Sequence, residues 1–392
     1  MMTNASSPLI ALVAGGTGGH IFPALAVARE LMSRGYRALM LTDDRGAAYL
    51  QDQSDVHYQV LDAADPRGGT ARALLALPAA VLVARRALKE LAPAAAIGFG
   101  GYATLPVMLA ARLQGLPTCL HEQNAVLGRV NRLMARFVDC VALTYEQTNL
   151  VPSSASSRCH ITGNPVRAGL LDLRQLEYEA PTRDGDINLL VIGGSQGAAT
   201  FSNVVPAALW LLPTSLRQRI RLTMQCRPET LDAARATCTE AGIQADLATF
   251  FTDMPDRLKA AHLVIARSGA SSVSELQISG RPGVFVPLPY AMDDHQTANA
   301  RPVEDAGAGW LVPELVFTVE GLFTLLSDVL GDATRLVQAA AAMRSLARPE
   351  ATNDVASLIE AQLAQQGHQP VAEAEKPSGT TGGHAFVAGG VA

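Results

Sequence analysis

The 392-residue chain has no apolar run approaching the ~20 residues that a membrane-spanning helix needs. No lysine or arginine precedes its first apolar run, which is short, so that run reads as a first strand rather than a signal peptide. The five cysteines, Cys119, Cys140, Cys159, Cys226 and Cys238, are odd in number and nowhere spaced C-x-x-C. That argues against a disulfide framework or a zinc site and for reduced thiols in a cytoplasmic protein. Charged residues make up only 17% and the formal net charge is −5, so the chain lacks the basic footprint of a nucleic-acid binder. Apolar residues, by contrast, are 48% of the total, enough to fill cores in the two or three domains that this length implies.

Three glycine-rich loops each close an apolar run. Gly15-Gly16-Thr17-Gly18-Gly19-His20 follows 9–14, Gly193-Gly194-Ser195-Gln196-Gly197 follows 189–192, and Arg267-Ser268-Gly269-Ala270 follows 263–266. A short apolar run, then glycines, then an amphipathic stretch reads as strand, tight turn and helix. Glycine lets the backbone approach a ligand, and the helix start behind it offers free N–H groups and a positive dipole end, which suits a phosphate or a sugar. The matching positions of the first two loops predict two similar domains facing one cleft.

The first half alternates predicted helices (21–33, 74–91, 105–113) with predicted strands (36–41, 94–99, 118–120, 138–143, 159–162), the pattern of a parallel sheet covered on both faces. The polar stretch 172–186 reads as an interdomain linker. The alternation restarts at Ile187, with helices at 198–211 and 229–241, further elements at 258–260, 284–287 and 297–306, and a last helix at 354–366. Residues 367–392, rich in Gly, Ala, Pro and Thr, read as a disordered tail.

Several motifs admit two readings. Neither of the first two loops fits G-x-G-x-x-G, but Gly98-Phe99-Gly100-Gly101-Tyr102-Ala103 matches its relaxed form with Glu122 downstream, which leaves a nicotinamide-dependent oxidoreductase open. His20, at a helix N-terminus, is either a general base with its pKa lowered by the helix dipole, or a capping or packing residue. Ser272-x-x-Glu275 is a capping-box pattern, while the carboxylate of Glu275 also suits a cis-diol. Arg167 is either a diphosphate ligand at the cleft or an ordinary surface arginine. Asp184-Gly185-Asp186 has the D-x-D form of some metal sites, but in a polar linker before a strand it reads better as a turn. Between Arg67 and Lys89, Arg72, Arg85, Arg86 and Lys89 flank Leu74, Leu75, Leu77, Val81, Leu82 and Val83. This is either a surface for anionic lipid or an amphipathic helix packed on the sheet.

Seven stretches, in order along nearly all of the chain before the tail, resemble the MurG family: GGTGGHIFPALAVA from Gly15, GFGGY from Gly98, HEQN from His121, GNPVR from Gly163, GGSQGA from Gly193, RSGASSVSE from Arg267 and DDHQTANA from Asp293. That family transfers N-acetylglucosamine to lipid I at the cytoplasmic face of the bacterial inner membrane, forming lipid II. The resemblance implies an α/β GT-B fold, two Rossmann-like domains with parallel sheets facing a cleft. The chain then divides into an acceptor and membrane domain at 1–168, a linker at 169–186, a UDP-GlcNAc domain at 187–349 and a terminal helix at 350–366 packing back on the first domain. It further implies inversion at the sugar carbon, no metal or other cofactor, UDP-GlcNAc and lipid I as substrates, peripheral attachment to an anionic membrane surface and no nucleic-acid partner.

Position by position, the resemblance makes Thr17, Gly18 and Gly19 the loop near the donor sugar and acceptor diphosphate. Placement after that loop at a helix start makes His20 the catalytic candidate, with Thr17 beside it orienting the acceptor. Asn124 resembles a sugar contact, and Arg167 and Ser195 resemble diphosphate contacts. Phe251 stands where a backbone contact to uracil is expected. Ala270, Ser271, Ser272, Val273, Ser274 and Glu275 line the nucleoside, with Glu275 on the ribose, and Gln296 meets the GlcNAc hydroxyls. The sequence departs from the family at Met224-Gln225-Cys226, where a His-Gln pair is usual. That departure leaves room for a sugar-nucleotide-binding protein without catalysis.

Overall fold

The computed structural model describes residues 7–61, 70–193 and 199–367. Ser195 and all of the expected tail beyond Gly367 lie outside them. The chain forms two parallel α/β sheets. The first contains β1 (Leu9–Val13), β2 (Arg37–Thr42), β3 (His57–Val60), β4 (Ala95–Gly98), β5 (Thr118–Glu122), β6 (Cys140–Leu143) and β7 (Cys159–Ile161), in the order β3-β2-β1-β4-β5-β6-β7. The second contains β8 (Ile187–Ile192), β9 (Ile220–Gln225), β10 (Gln244–Ala248), β11 (Leu263–Ala266), β12 (Gly283–Phe285) and β13 (Gly309–Leu311), in the order β10-β9-β8-β11-β12-β13.

The central strands β1, β4, β6 and β11 are buried along their whole length, as apolar runs between two helical layers must be, and β5 is equally buried although it carries Thr118, His121 and Glu122. In each sheet the strand order reverses at the first strand: β1 lies between β2 and β4, and β8 between β9 and β11. A crevice opens beyond the carboxyl ends of the strands at such a reversal. The Gly15 and Gly98 loops meet at the first crevice; at the second, Gly193 follows β8 and the Arg267 loop follows β11, while 194–198 lie outside the described residues.

Segment 169–186 is not a free spacer. Leu170 and Leu173 enter the second-domain core beside Val166, and the Tyr178 hydroxyl donates to the His262 carbonyl at 2.9 Å. The last helix, Ala351–Gln365, crosses back and places Val355, Ala356, Ile359 and Leu363 in the first-domain core against helix Gly18–Ser33. Arg34 clasps it through Asn353, Ser357 and Glu360.

Candidate active site

The first glycine loop is held from below. Asp43 accepts hydrogen bonds through one oxygen from the N–H groups of Gly16 (3.0 Å) and Gly46 (2.8 Å). The Gly98 loop supports it from the side. Gly101 has φ +85°, and a Cβ there would lie 2.7 Å from the Gly15 carbonyl oxygen, so only glycine allows the two loops to touch. The helix begins at Gly18, three residues earlier than the sequence pattern predicts, and this puts His20 inside its first turn.

The His20 ring is oriented by that loop. Its Nδ1 lies 3.0 Å from the Gly15 carbonyl, which can only accept, so Nδ1 carries the proton and Nε2 keeps a lone pair. Thr17 Oγ1 is 3.4 Å from the same Nδ1. Burial is the main cause that lowers the His20 pKa; the carboxylates of Glu122 and Asp43 and the Gly15 bond oppose it, and His295 from the second domain lowers it further. The helix dipole invoked from sequence is therefore not the leading cause.

Glu122 is not a ribose ligand, which removes the acid that a dinucleotide reading of the Gly98 loop requires. It is almost fully buried and accepts from the Asn124 N–H (3.0 Å), Asn124 Nδ2 (3.1 Å), the Gly128 N–H (2.8 Å) and Asn131 Nδ2 (2.9 Å). Beside it, His121 is wholly buried. Its Nε2–H donates to the Gly163 carbonyl at 3.0 Å, and Nδ1 accepts from Gln123 Nε2 at 3.2 Å. Burial pushes its pKa down to about 4, the Gly163 bond opposes this, and the neighbouring His20 lowers it further.

The second wall is made of short side chains. Helix Ala270–Ser279 starts with Gly269 at its N-cap, and no side chain caps it. Ser272 lies inside the helix, so the capping-box reading fails. Ala270, Val273 and Ser274 are buried, while Ser271, Ser272 and Glu275 are partly exposed. Glu275 accepts instead from Arg167 Nη2 at 3.0 Å, and the Arg167 guanidinium also sits 5.3 Å from the centre of the Phe22 ring. Burial raises the Glu275 pKa above the usual carboxylate range, and Arg167 opposes that rise. Gln296 accepts from the Leu288 N–H at 2.9 Å, which leaves its NH₂ group free to donate. Phe251 is nearly buried under the Arg257 guanidinium, 3.9 Å away.

The two walls also meet at a corner that the sequence reading missed. Asn299 Oδ1 accepts from the Ala125 N–H at 2.7 Å, and Asn299 Nδ2 donates to Asn124 Oδ1 and to the Ser268 carbonyl, both at 3.1 Å. Nearby, Arg132 pairs with Asp293 at 2.8 Å. Asp293 and Asp294 are consecutive non-glycine residues with φ +53° and +51°, a strain of about 1 kcal/mol each, offset by this pair and by the Thr297 hydroxyl on Asp294 at 2.7 Å.

Met224 is fully buried in the second-domain core and Cys226 nearly so, while Gln225 between them is half-buried at the end of β9. Asp184-Gly185-Asp186 is a turn closed by the Gly185 N–H on the Thr182 carbonyl, with Asp186 paired to Arg221. Among the described residues there is no cluster of three or more His, Cys, Asp or Glu able to hold a metal.

The glycosyltransferase family 28 N-terminal domain matches residues 10–143, and the glycosyltransferase family 28 C-terminal domain matches residues 188–360. A UDP-N-acetylglucosamine--N-acetylmuramyl-(pentapeptide) pyrophosphoryl-undecaprenol N-acetylglucosamine transferase of Paramagnetospirillum magneticum is 47% identical over 360 residues, covering 91% of this chain and 97% of its own. The protein of the same name from Rhodospirillum centenum is 45% identical over 353 residues, covering 89% and 93%. Among solved structures, Acinetobacter baumannii MurG superimposes with a TM-score of 0.74 at 32% identity, over 91% of this chain and 99% of that one. A UDP-GlcNAc 2-epimerase from Neisseria meningitidis shares the fold, with a TM-score of 0.65 at 12% identity over 91% and 100%.

Proposed function

The chain belongs to the MurG family of glycosyltransferases, and from that premise we infer that it transfers N-acetylglucosamine from UDP-GlcNAc to lipid I, forming lipid II for peptidoglycan synthesis. The observation that carries the chemistry is His20: a neutral imidazole with its proton fixed on Nδ1 and a lone pair free on Nε2, at the start of the first-domain helix. In this reading Nε2 takes the proton from the acceptor hydroxyl as its oxygen attacks the anomeric carbon, which inverts, and UDP leaves from the opposite face. Thr17, Gly18 and Gly19 hold the acceptor diphosphate and donor sugar.

Negative charge grows on the departing diphosphate. Arg167, the Ser195 loop and the N–H groups at the start of helix Ala270–Ser279 stabilise it there. Glu275 takes the ribose hydroxyls, Phe251 offers its backbone to uracil, and Asn124 and Gln296 hold the sugar. Arg167 Nη2 pairs with the Glu275 carboxylate at 3.0 Å, so the group proposed for the diphosphate and the group proposed for the ribose lie side by side. No observation favours an oxidoreductase, since Glu122 is consumed within its own loop. Purified protein given both substrates, with and without Mg²⁺, is expected to make lipid II and release UDP only when both are present. Absence of lipid II refutes the assignment.

For the membrane, we propose peripheral binding at the cytoplasmic face through helix Thr70–Leu91. Its Ala84 and Leu88 pack into the core, while Leu75, Leu82 and Val83 are exposed beside exposed Arg85, Arg86 and Lys89. Both sequence readings of this segment are therefore compatible in one helix. No helix among the described residues is long and apolar enough to cross a membrane.

A further inference from the structure

We propose that Asn299 is a positioning residue that makes the sugar contact of Asn124 conditional on closure of the two domains. The proposal rests on the reading of Asn124 as a sugar ligand given above. Asn299 stands one turn after Gln296 in helix His295–Asp305 and is wholly buried. Both hydrogens of its amide are committed. Oδ1 holds the Ala125 N–H of the first domain, and the two Nδ2 hydrogens go to Asn124 Oδ1 of the first domain and to the Ser268 carbonyl of the second. No donor capacity is left on Nδ2 for a substrate, so Asn299 acts through its neighbours.

The Asn124 amide is oriented from both ends. Glu122 can only accept, so Nδ2 of Asn124 must face it, and Oδ1 must face the Asn299 donor. This leaves one N–H and one lone pair of Asn124 to meet a ligand. If the domains part, Asn124 loses the partner of its oxygen and the Ala125 N–H loses its acceptor, so the first-domain loop is fully ordered only when the second domain is docked. Ser268 leads directly into helix Ala270–Ser279, which ties the same amide to the nucleotide wall. A single asparagine thus links nucleotide wall, domain closure and sugar contact, and UDP-GlcNAc, but not UDP, gains from the link.

The test uses the full chain and titrates UDP and UDP-GlcNAc separately, with steady-state turnover on lipid I. Asn299→Asp keeps the volume and the acceptor for Ala125 but sets a carboxylate oxygen against Asn124 Oδ1 and the Ser268 carbonyl. It is expected to leave UDP affinity within about twofold, and to lower both the preference for UDP-GlcNAc over UDP and kcat by roughly tenfold. Asn299→Ser, which removes the amide without adding charge, gives the same reading if the aspartate variant does not fold. In Asn124→Ala the Asn299 substitution is expected to cost little more, because the two act as one unit. Additive losses in the double variant overturn the proposal, as does an unchanged preference in both Asn299 variants while Asn124→Ala abolishes it. If Asn124→Ala itself leaves the preference intact, the underlying sugar-contact reading fails, and the proposal fails with it at that identifiable point.

Discussion

The two walls of the cleft are built on the same α/β plan but differ in chemistry. The first-domain wall concentrates polar and titratable groups with fixed partners: His20 on Gly15, Glu122 on four N–H groups, Asp43 on two. The second-domain wall presents a helix start, small side chains and carboxylates tied up by arginines from across the cleft, Glu275 with Arg167 and Asp293 with Arg132. A fixed proton acceptor needs such a scaffold, because an imidazole free to rotate would lose its tautomer and its aim. A nucleotide needs mostly backbone N–H groups and room. On this difference rests the proposal that chemistry belongs to the first wall and donor binding to the second.

The sharpest way to break this division is His20→Ala. We expect kcat to fall by about 10²–10⁴ while UDP-GlcNAc affinity stays near that of the parent. Steady-state kinetics with a separate donor titration checks both, and a large loss of donor affinity with kcat preserved would reverse the assignment. Next in size is acid lability of the first domain. Below pH 6.5 the unfolded chain protonates His121, whereas the folded protein resists until about pH 4. Stability therefore falls as pH drops across that window, by about 3 kcal/mol for this group alone, and His121→Gln should flatten the dependence in urea titrations.

On the outer surface of the same domain, replacing Arg85, Arg86 and Lys89 together by Gln should weaken binding to anionic vesicles by about 1 kcal/mol per charge. Equal flotation of variant and parent would leave helix Thr70–Leu91 as packing alone. The smallest effect belongs to the second wall. Glu275→Ala should raise the donor KM roughly tenfold with less change in kcat, since a ribose contact acts before and during the reaction alike. An unchanged KM would confine Glu275 to its pair with Arg167.

Much of this was legible in the sequence for a physical reason. Buried parallel strands are apolar runs, and the loops at a strand-order reversal need glycine, so both cleft edges stand out. Elements without such marks did not. β3 is exposed at all four residues and has no apolar pattern, and helix Ala333–Ser345 is alanine-rich with few large apolar side chains. Helix Val319–Leu330, although amphipathic, carries no glycine loop to announce it. Within the site, Ser272-x-x-Glu275 mimicked a cap because the pattern is local, whereas the true N-cap, Gly269, offers no side chain. Asn299 could not be found from local sequence, because its partners lie at Asn124, Ala125 and Ser268, and only the folded cleft brings them together.

The most direct test of the division is the pH dependence of kcat/KM for lipid I in the parent and in His20→Ala. Protonating Nε2 removes the base, so the parent's rate should fall as pH drops, with a midpoint below the ordinary histidine value of 6.5 because burial lowers the His20 pKa. In His20→Ala that acid limb should be absent and the residual rate flat across the same range. An acid limb that persists unchanged in the variant would place the base elsewhere and contradict the account.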